Sequence, residues 1–103
     1  MNDYDISVTV NGQPLELSDF PRDFVANTVV GAAQSLKGVG KVEKLELTLN
    51  YGKIKMTVND QNIPLTPFPT LILARTLIAM VSTMKGVEGE VNNLEIKLKN
   101  LKS

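Results

Sequence analysis

A chain of 103 residues, 43% hydrophobic, with eleven basic and eleven acidic side chains and neither Cys nor His, has the size of one domain able to bury roughly 60 to 70% of its unfolded surface. The missing Cys and His exclude a thiolate nucleophile, an imidazole base, a redox pair and the usual zinc sites. Balanced charge removes the electrostatic footprint of a nucleic-acid binder, and the start Met1-Asn2-Asp3-Tyr4-Asp5 lacks the basic and apolar regions of a signal peptide, so a cytoplasmic protein is expected.

The first strand alternates Ile6, Val8 and Val10 with Ser7 and Thr9. Asn11-Gly12 follows, the strongest short hairpin signal. With these two residues as the turn, Val10 faces Gln13, Val8 faces Leu15 and Ile6 faces Leu17, so the apolar side chains of both strands share one side. Pro14 falls where the backbone N points outward, which makes this second strand an edge. Ser18 is the expected N-cap of a helix with Pro21 in its first turn. Val25, Ala26, Val29, Val30, Ala32, Ala33 and Leu36 form its apolar face, and Gly38 closes it as a left-handed cap sealed by Val39. A third strand alternates Leu45, Leu47 and Leu49 with Lys44, Glu46 and Thr48.

The chain then repeats this order. Ile6 to Leu49 returns as Ile54 to Leu98, 48 positions on through Val39 and Val87 and one more thereafter. Thr9, Val10, Asn11 and Gln13 recur as Thr57, Val58, Asn59 and Gln61; Leu17, Phe20 and Pro21 recur as Leu65, Phe68 and Pro69. Tyr51-Gly52 closes a hairpin between the halves, opposing Leu49 to Ile54, Leu47 to Met56 and Leu45 to Val58. Asn59-Asp60 turns the next one, opposing Val58 to Gln61, Met56 to Ile63 and Ile54 to Leu65, with Pro64 at the edge. Thr66 caps a second helix whose first turn holds Pro67 and Pro69 and whose apolar face is Leu73, Ala74, Leu77, Ile78, Met80, Val81 and Met84. Gly86 and Val87 end it, and the last strand carries Leu94, Ile96 and Leu98.

These signals predict an α+β two-layer sandwich in a single domain, 1–103: a mostly antiparallel sheet of about six strands with two helices on one face. Two ββαβ repeats, 6–49 and 54–98, would be related by an internal pseudo-two-fold. Two neighbours remain possible for the last strand.

The outward faces of the helices are less polar than solvent exposure suggests. Phe24, Thr28, Gly31 and Ser35 lie opposite the first core stripe, and Ile72, Thr76, Ala79 and Thr83 opposite the second. An apolar anchor near small residues, present in both copies, suits close approach of a partner. Phe24, Thr28, Gly31, Ile72, Thr76 and Ala79 are therefore the candidate contact residues of a non-enzymatic interaction or scaffold module, a homo-oligomer or a binder of another protein through these faces or the edge strands. The alternative is a small-ligand binder with an apolar pocket between helices and sheet, where Met56, Met80 and Met84 supply adaptable packing.

Other features carry less chemistry. Asn11, Gln13, Asn59 and Gln61 sit at hairpin tips, where Asn serves positive φ. Thr9, Lys44, Thr48, Lys55, Thr57, Lys97 and Lys99 make a solvated sheet face without the aromatic residues a nucleic-acid platform stacks on. Asp19 and Asp23 suit a helix start, and Glu88 and Glu90 alternate in a loop. Gly38-Val39-Gly40-Lys41 follows a helix, so it does not cradle phosphate. The apolar run around Arg75 is too short for a membrane span and lacks the basic face of an interfacial helix. No enzyme activity, cofactor, nucleic-acid partner or membrane partner is expected.

Overall fold

In a computed structural model, which describes residues 3–36 and 38–102, the chain forms β1 (Tyr4–Val10), β2 (Gln13–Pro14), α1 (Asp19–Gln34), β3 (Lys44–Asn50), β4 (Lys53–Val58), β5 (Gln61–Ile63), α2 (Pro67–Ser82) and β6 (Asn93–Asn100). The fold is α+β, with one six-stranded antiparallel sheet in the order β2-β1-β6-β3-β4-β5. Met1, Asn2 and Lys37 of the segments discussed above lie outside the described residues.

Three tight turns set the register. Asn11 and Gly12 have φ of 49° and 81°, Tyr51 and Gly52 of 47° and 83°, and Asn59 and Asp60 of 52° and 65°. Positive φ at both central residues is the turn whose twist matches that of paired strands. The expected pairs follow: Val10 with Gln13, Leu47 with Met56, Leu45 with Val58, and Met56 with Ile63. The edge strands are shorter than the alternation suggests. β2 stops at Pro14 and β5 just before Pro64, so Ile6 does not pair with Leu17 in the ladder, nor Ile54 with Leu65. Each edge strand is held from one side only, and its proline N faces outward, where it offers no donor to a further strand. Leu15 keeps one bond to β1, its N–H donating to the Val8 carbonyl at 2.9 Å, and Leu15, Leu17 and Leu65 pack partly buried against the core.

The last strand lies between β1 and β3, opposing Ile96 to Val8 on one side and to Leu47 on the other. This central place follows from burial: Leu45, Leu47, Leu49, Leu94, Ile96 and Leu98 are all buried, which only an inner strand covered by helices achieves along its length. Residues opposed in register share a face. Val8, Ile96, Leu47, Met56 and Ile63 thus line one side, and Ser7, Lys97, Glu46, Thr57 and Asn62 the other.

Both helices cover the apolar side. Val25, Ala26, Val29, Val30 and Ala33 of α1 and Leu73, Ala74, Leu77, Met80 and Val81 of α2 join the sheet residues in a single buried cluster. Ala32, Leu36, Ile78 and Met84 pack partly buried at its margin. The shortest dimension, 18 Å against 36 and 33 Å, is that of one sheet and one helical layer. Helix ends depart from expectation in two details. Ser18 and Thr66 occupy the N-cap positions, yet neither side chain makes a capping bond. Gly38 and Gly86 take left-handed φ of 88° and 91° but stand beyond a looser last turn, where Val39 donates to the Leu36 carbonyl and Val87 to that of Met84.

Candidate functional site

The helical layer presents its apolar residues in a diagonal pattern. On α1, positions spaced by three or four leave Phe20, Phe24 and Gly31 exposed and Thr28 half-buried; on α2 the same spacing exposes Phe68, Leu71, Ile72, Thr76 and Ala79. Phe20 is 76% exposed, Phe68 67%, Phe24 50%, Ile72 48% and Leu71 47%. Phe20 and Phe24 stack on one another with ring centroids 5.8 Å apart, the contact expected of aromatic residues one turn apart on a helix. Thr28 is turned inward to its own backbone, its hydroxyl donating to the Phe24 carbonyl at 2.6 Å.

All six candidate contact residues therefore lie on the outer side of the helices, with Thr28 the least accessible. Phe20, Phe68 and Leu71 belong to the same surface and were not among them. Their signal was present: Phe20 and Phe68 are matched residues of the two halves, each one turn before Phe24 or Ile72.

The first turns of α1 stand beside the last turns of α2. Between them Phe20, Pro21, Phe24, Met80, Thr83 and Met84 line an apolar groove of about 370 Å³ with Lys85 at its side. Within the layer, the bulky end of α1 thus adjoins the small-residue end of α2, Ala79 to Thr83.

The hairpin tips are occupied structurally. Asn11 Nδ2 donates to the Glu90 carbonyl, and its Oδ1 accepts from the amides of Asn92 and Asn93, all at 2.9 Å. Asn59 Nδ2 likewise donates to the Lys41 carbonyl at 2.9 Å, and its Oδ1 accepts from Glu43 and Lys44 at 2.8 and 3.0 Å. Both amides spend their bonds pinning the chain that leads into β6 or β3.

Three hollows of about 300 to 400 Å³ lie on the open sheet face among Ser7, Thr9, Glu46, Thr48, Lys55 and Lys97. A smaller one, about 150 Å³, sits at the margin among Asn11, Leu15 and Val87. Of the charged groups here, Lys97 lies 3.9 Å from Glu95 of its own strand, Lys55 is exposed and Glu46 is half-buried. Lys44 hydrogen-bonds Asp60 at 2.9 Å; this bond, the Asp60 charge and then that of Glu46 raise the Lys44 pKa above its ordinary value.

Among the described residues no polar or charged side chain is buried, and no group of three or more acidic residues is placed to hold a metal ion. Asp19 and Asp23 begin α1, and Glu88 and Glu90 are exposed in the loop after α2. No helix among the described residues is long and apolar enough to cross a membrane. Comparisons with protein-family models, with curated proteins and with solved structures find no match.

Proposed function

We propose that this protein is a non-enzymatic interaction module that associates with a second copy of itself through the helical layer, and that it is built as two fused ββαβ units with an internal pseudo-two-fold. The tandem reading is supported by an exchange of elements. Swapping β1 with β4, β2 with β5 and β3 with β6, then reading from the opposite edge, returns the same strand order. The pair Val8 and Ile96 becomes Met56 and Leu47, and the bonds of Asn11 become those of Asn59.

The observation that carries self-association is the exposure of Phe20, Phe24, Phe68, Leu71 and Ile72 on one layer. At roughly 200 Å² for a large side chain, they present on the order of 500 Å² of apolar surface. Two copies meeting there bury about 1,000 Å² from these residues alone, the lower bound for a specific interface. The edges are poorer candidates, since β2 has two residues and β5 three, and short strands beside proline resist pairing. A membrane surface is disfavoured by the mixed charge around the patch, Asp19, Arg22, Asp23 and Arg75.

Sedimentation equilibrium of the wild type and of Phe24→Asp with Ile72→Asp tests this reading. A wild-type dimer and a folded, monomeric double variant are expected. A wild type that stays monomeric at high concentration overturns the proposal, and binding of that monomer to vesicles would reassign the patch to a lipid surface.

A further inference from the structure

The pattern of bulk on the helical layer selects one way for two copies to meet. At the level where α1 begins, Phe20 and Phe24 stand up beside Met80 and Thr83 of α2, with the apolar groove between them. Since both helices span 16 residues and run in opposite senses, the other end of the layer is reversed: Phe68 and Ile72 are the large, exposed groups on α2, level with the small residues Gly31 and Ser35 of α1. Bulk therefore lies on one diagonal and small residues on the other. Turning a second copy over about an axis in the plane of the layer places every raised side chain of one copy above a depression in the other.

Two such axes exist, and charge distinguishes them. An axis perpendicular to the helices lays each helix antiparallel across its own copy and brings the two Arg75 side chains together at the middle of α2. An axis parallel to the helices lays α1 across α2 of the other copy, setting Arg75 near Asp23. Neither Arg75 nor Asp23 has an ion pair among the described residues. Like charges brought together oppose association and opposite charges favour it. Gly31 supports close approach: a Cβ added there meets nothing within 4 Å, so the packing of its own chain does not require glycine in this exposed helical position.

We infer that two copies pack their helical layers face to face about a two-fold axis parallel to the helices, with Phe24 of each over Ala79 of the other and Ile72 over Gly31. This inference rests on the self-association proposed above and specifies its geometry. Such an interface is isologous and closes on itself as a dimer.

The absence of Cys makes the test direct. Asn27→Cys and Thr76→Cys each place one thiol on the exposed side of its helix, near the middle of the proposed interface. With α1 across α2, Asn27 of one copy lies near Thr76 of the other, so an equimolar mixture treated with a short bismaleimide gives severalfold more covalent dimer than either variant alone. With each helix across its own copy, each variant cross-links to itself instead, and that result overturns the inference while leaving self-association intact. Thermal melting checks that both variants fold. If the wild type sediments as a monomer, the geometry and the association fall together.

Discussion

Asn59 and Lys44 hold each other at both ends of a short ring: the Asn59 amide donates to the Lys44 carbonyl at 2.8 Å, and the Lys44 amide donates to Asn59 Oδ1 at 3.0 Å. Asn11 and Asn93 do the same, both bonds being 2.9 Å. A turn residue with positive φ thus also aligns the start of the neighbouring central strand. Asn59→Gly keeps the backbone permissive and removes only the side chain, so it should cost about 1–2 kcal/mol in urea unfolding. Asn59→Ala should cost about 1 kcal/mol more, because alanine lacks glycine's freedom at φ 52°. Asn11→Gly should match Asn59→Gly if the halves are equivalent. An alanine variant as stable as the glycine variant would show that the turn imposes no strain.

The helix starts should behave differently from what the residues suggest. Ser18 and Thr66 are residue types that gain about 1 kcal/mol as N-caps, but neither makes the capping bond. Ser18→Ala and Thr66→Ala are therefore expected to shift stability by no more than about 0.5 kcal/mol, the range of ordinary surface changes. A loss of a full capping contribution in either variant would mean that the bond forms in solution.

Turn register, core stripes and proline-marked edges were legible because each follows from local periodicity. Asn11-Gly12 and the alternation of Ile6, Val8 and Val10 require only their own segment. The place of β6 between β1 and β3 was not legible, since Leu94, Ile96 and Leu98 would suit either flank of a buried sheet; only long-range packing chooses. The lengths of β2 and β5 were overstated because Leu17 and Leu65 keep the strand period while packing against the core beyond the last paired residues. On the helical layer, spacing identified Phe24 and Ile72, whereas Phe20 and Phe68 were masked by neighbouring prolines that read first as helix-start signals.

The centre of the sheet should be the least tolerant region. Leu47 and Ile96 are opposed in register and are 0% exposed. Leu47→Ala and Ile96→Ala should each cost about 2–5 kcal/mol, against a total stability of roughly 5–15 kcal/mol for a domain. Amide exchange should be slowest in β3 and β6 and faster in β2 and β5, where the ladder is two or three residues long. Slow exchange in the edge strands would contradict this ranking.

The Lys44–Asp60 pair gives a pH signature with a definite sign. Its hydrogen bond and charge raise the Lys44 pKa in the folded chain, so the linked stability is complete below the unfolded lysine value and is lost as pH rises through the folded one. The stability difference between wild type and Lys44→Gln should hold steady from pH 7 to 9 and close only above about pH 10. The two side chains are 49% and 76% exposed, so the difference should be small and should shrink with added salt. Closure already between pH 7 and 9 would assign the effect to another group.

Gly31 separates the stability of the chain from its association. It sits in α1 without positive φ, and a Cβ there meets nothing within 4 Å. An exposed glycine inside a helix costs roughly 0.5–1 kcal/mol relative to alanine. Gly31→Ala should therefore raise the melting temperature of the dilute monomer, by about 4–8 °C per kcal/mol for a domain near this size. The proposed interface sets Ile72 of the other copy over this position, so the same methyl group should weaken the dimer in sedimentation equilibrium, and Gly31→Glu should abolish it while leaving the circular dichroism of the chain unchanged. Opposite signs are the expected result: a more stable chain and a weaker pair. If alanine stabilises the monomer and leaves association untouched, Ile72 does not pack over Gly31, because a buried contact between helices registers the addition of a single methyl group.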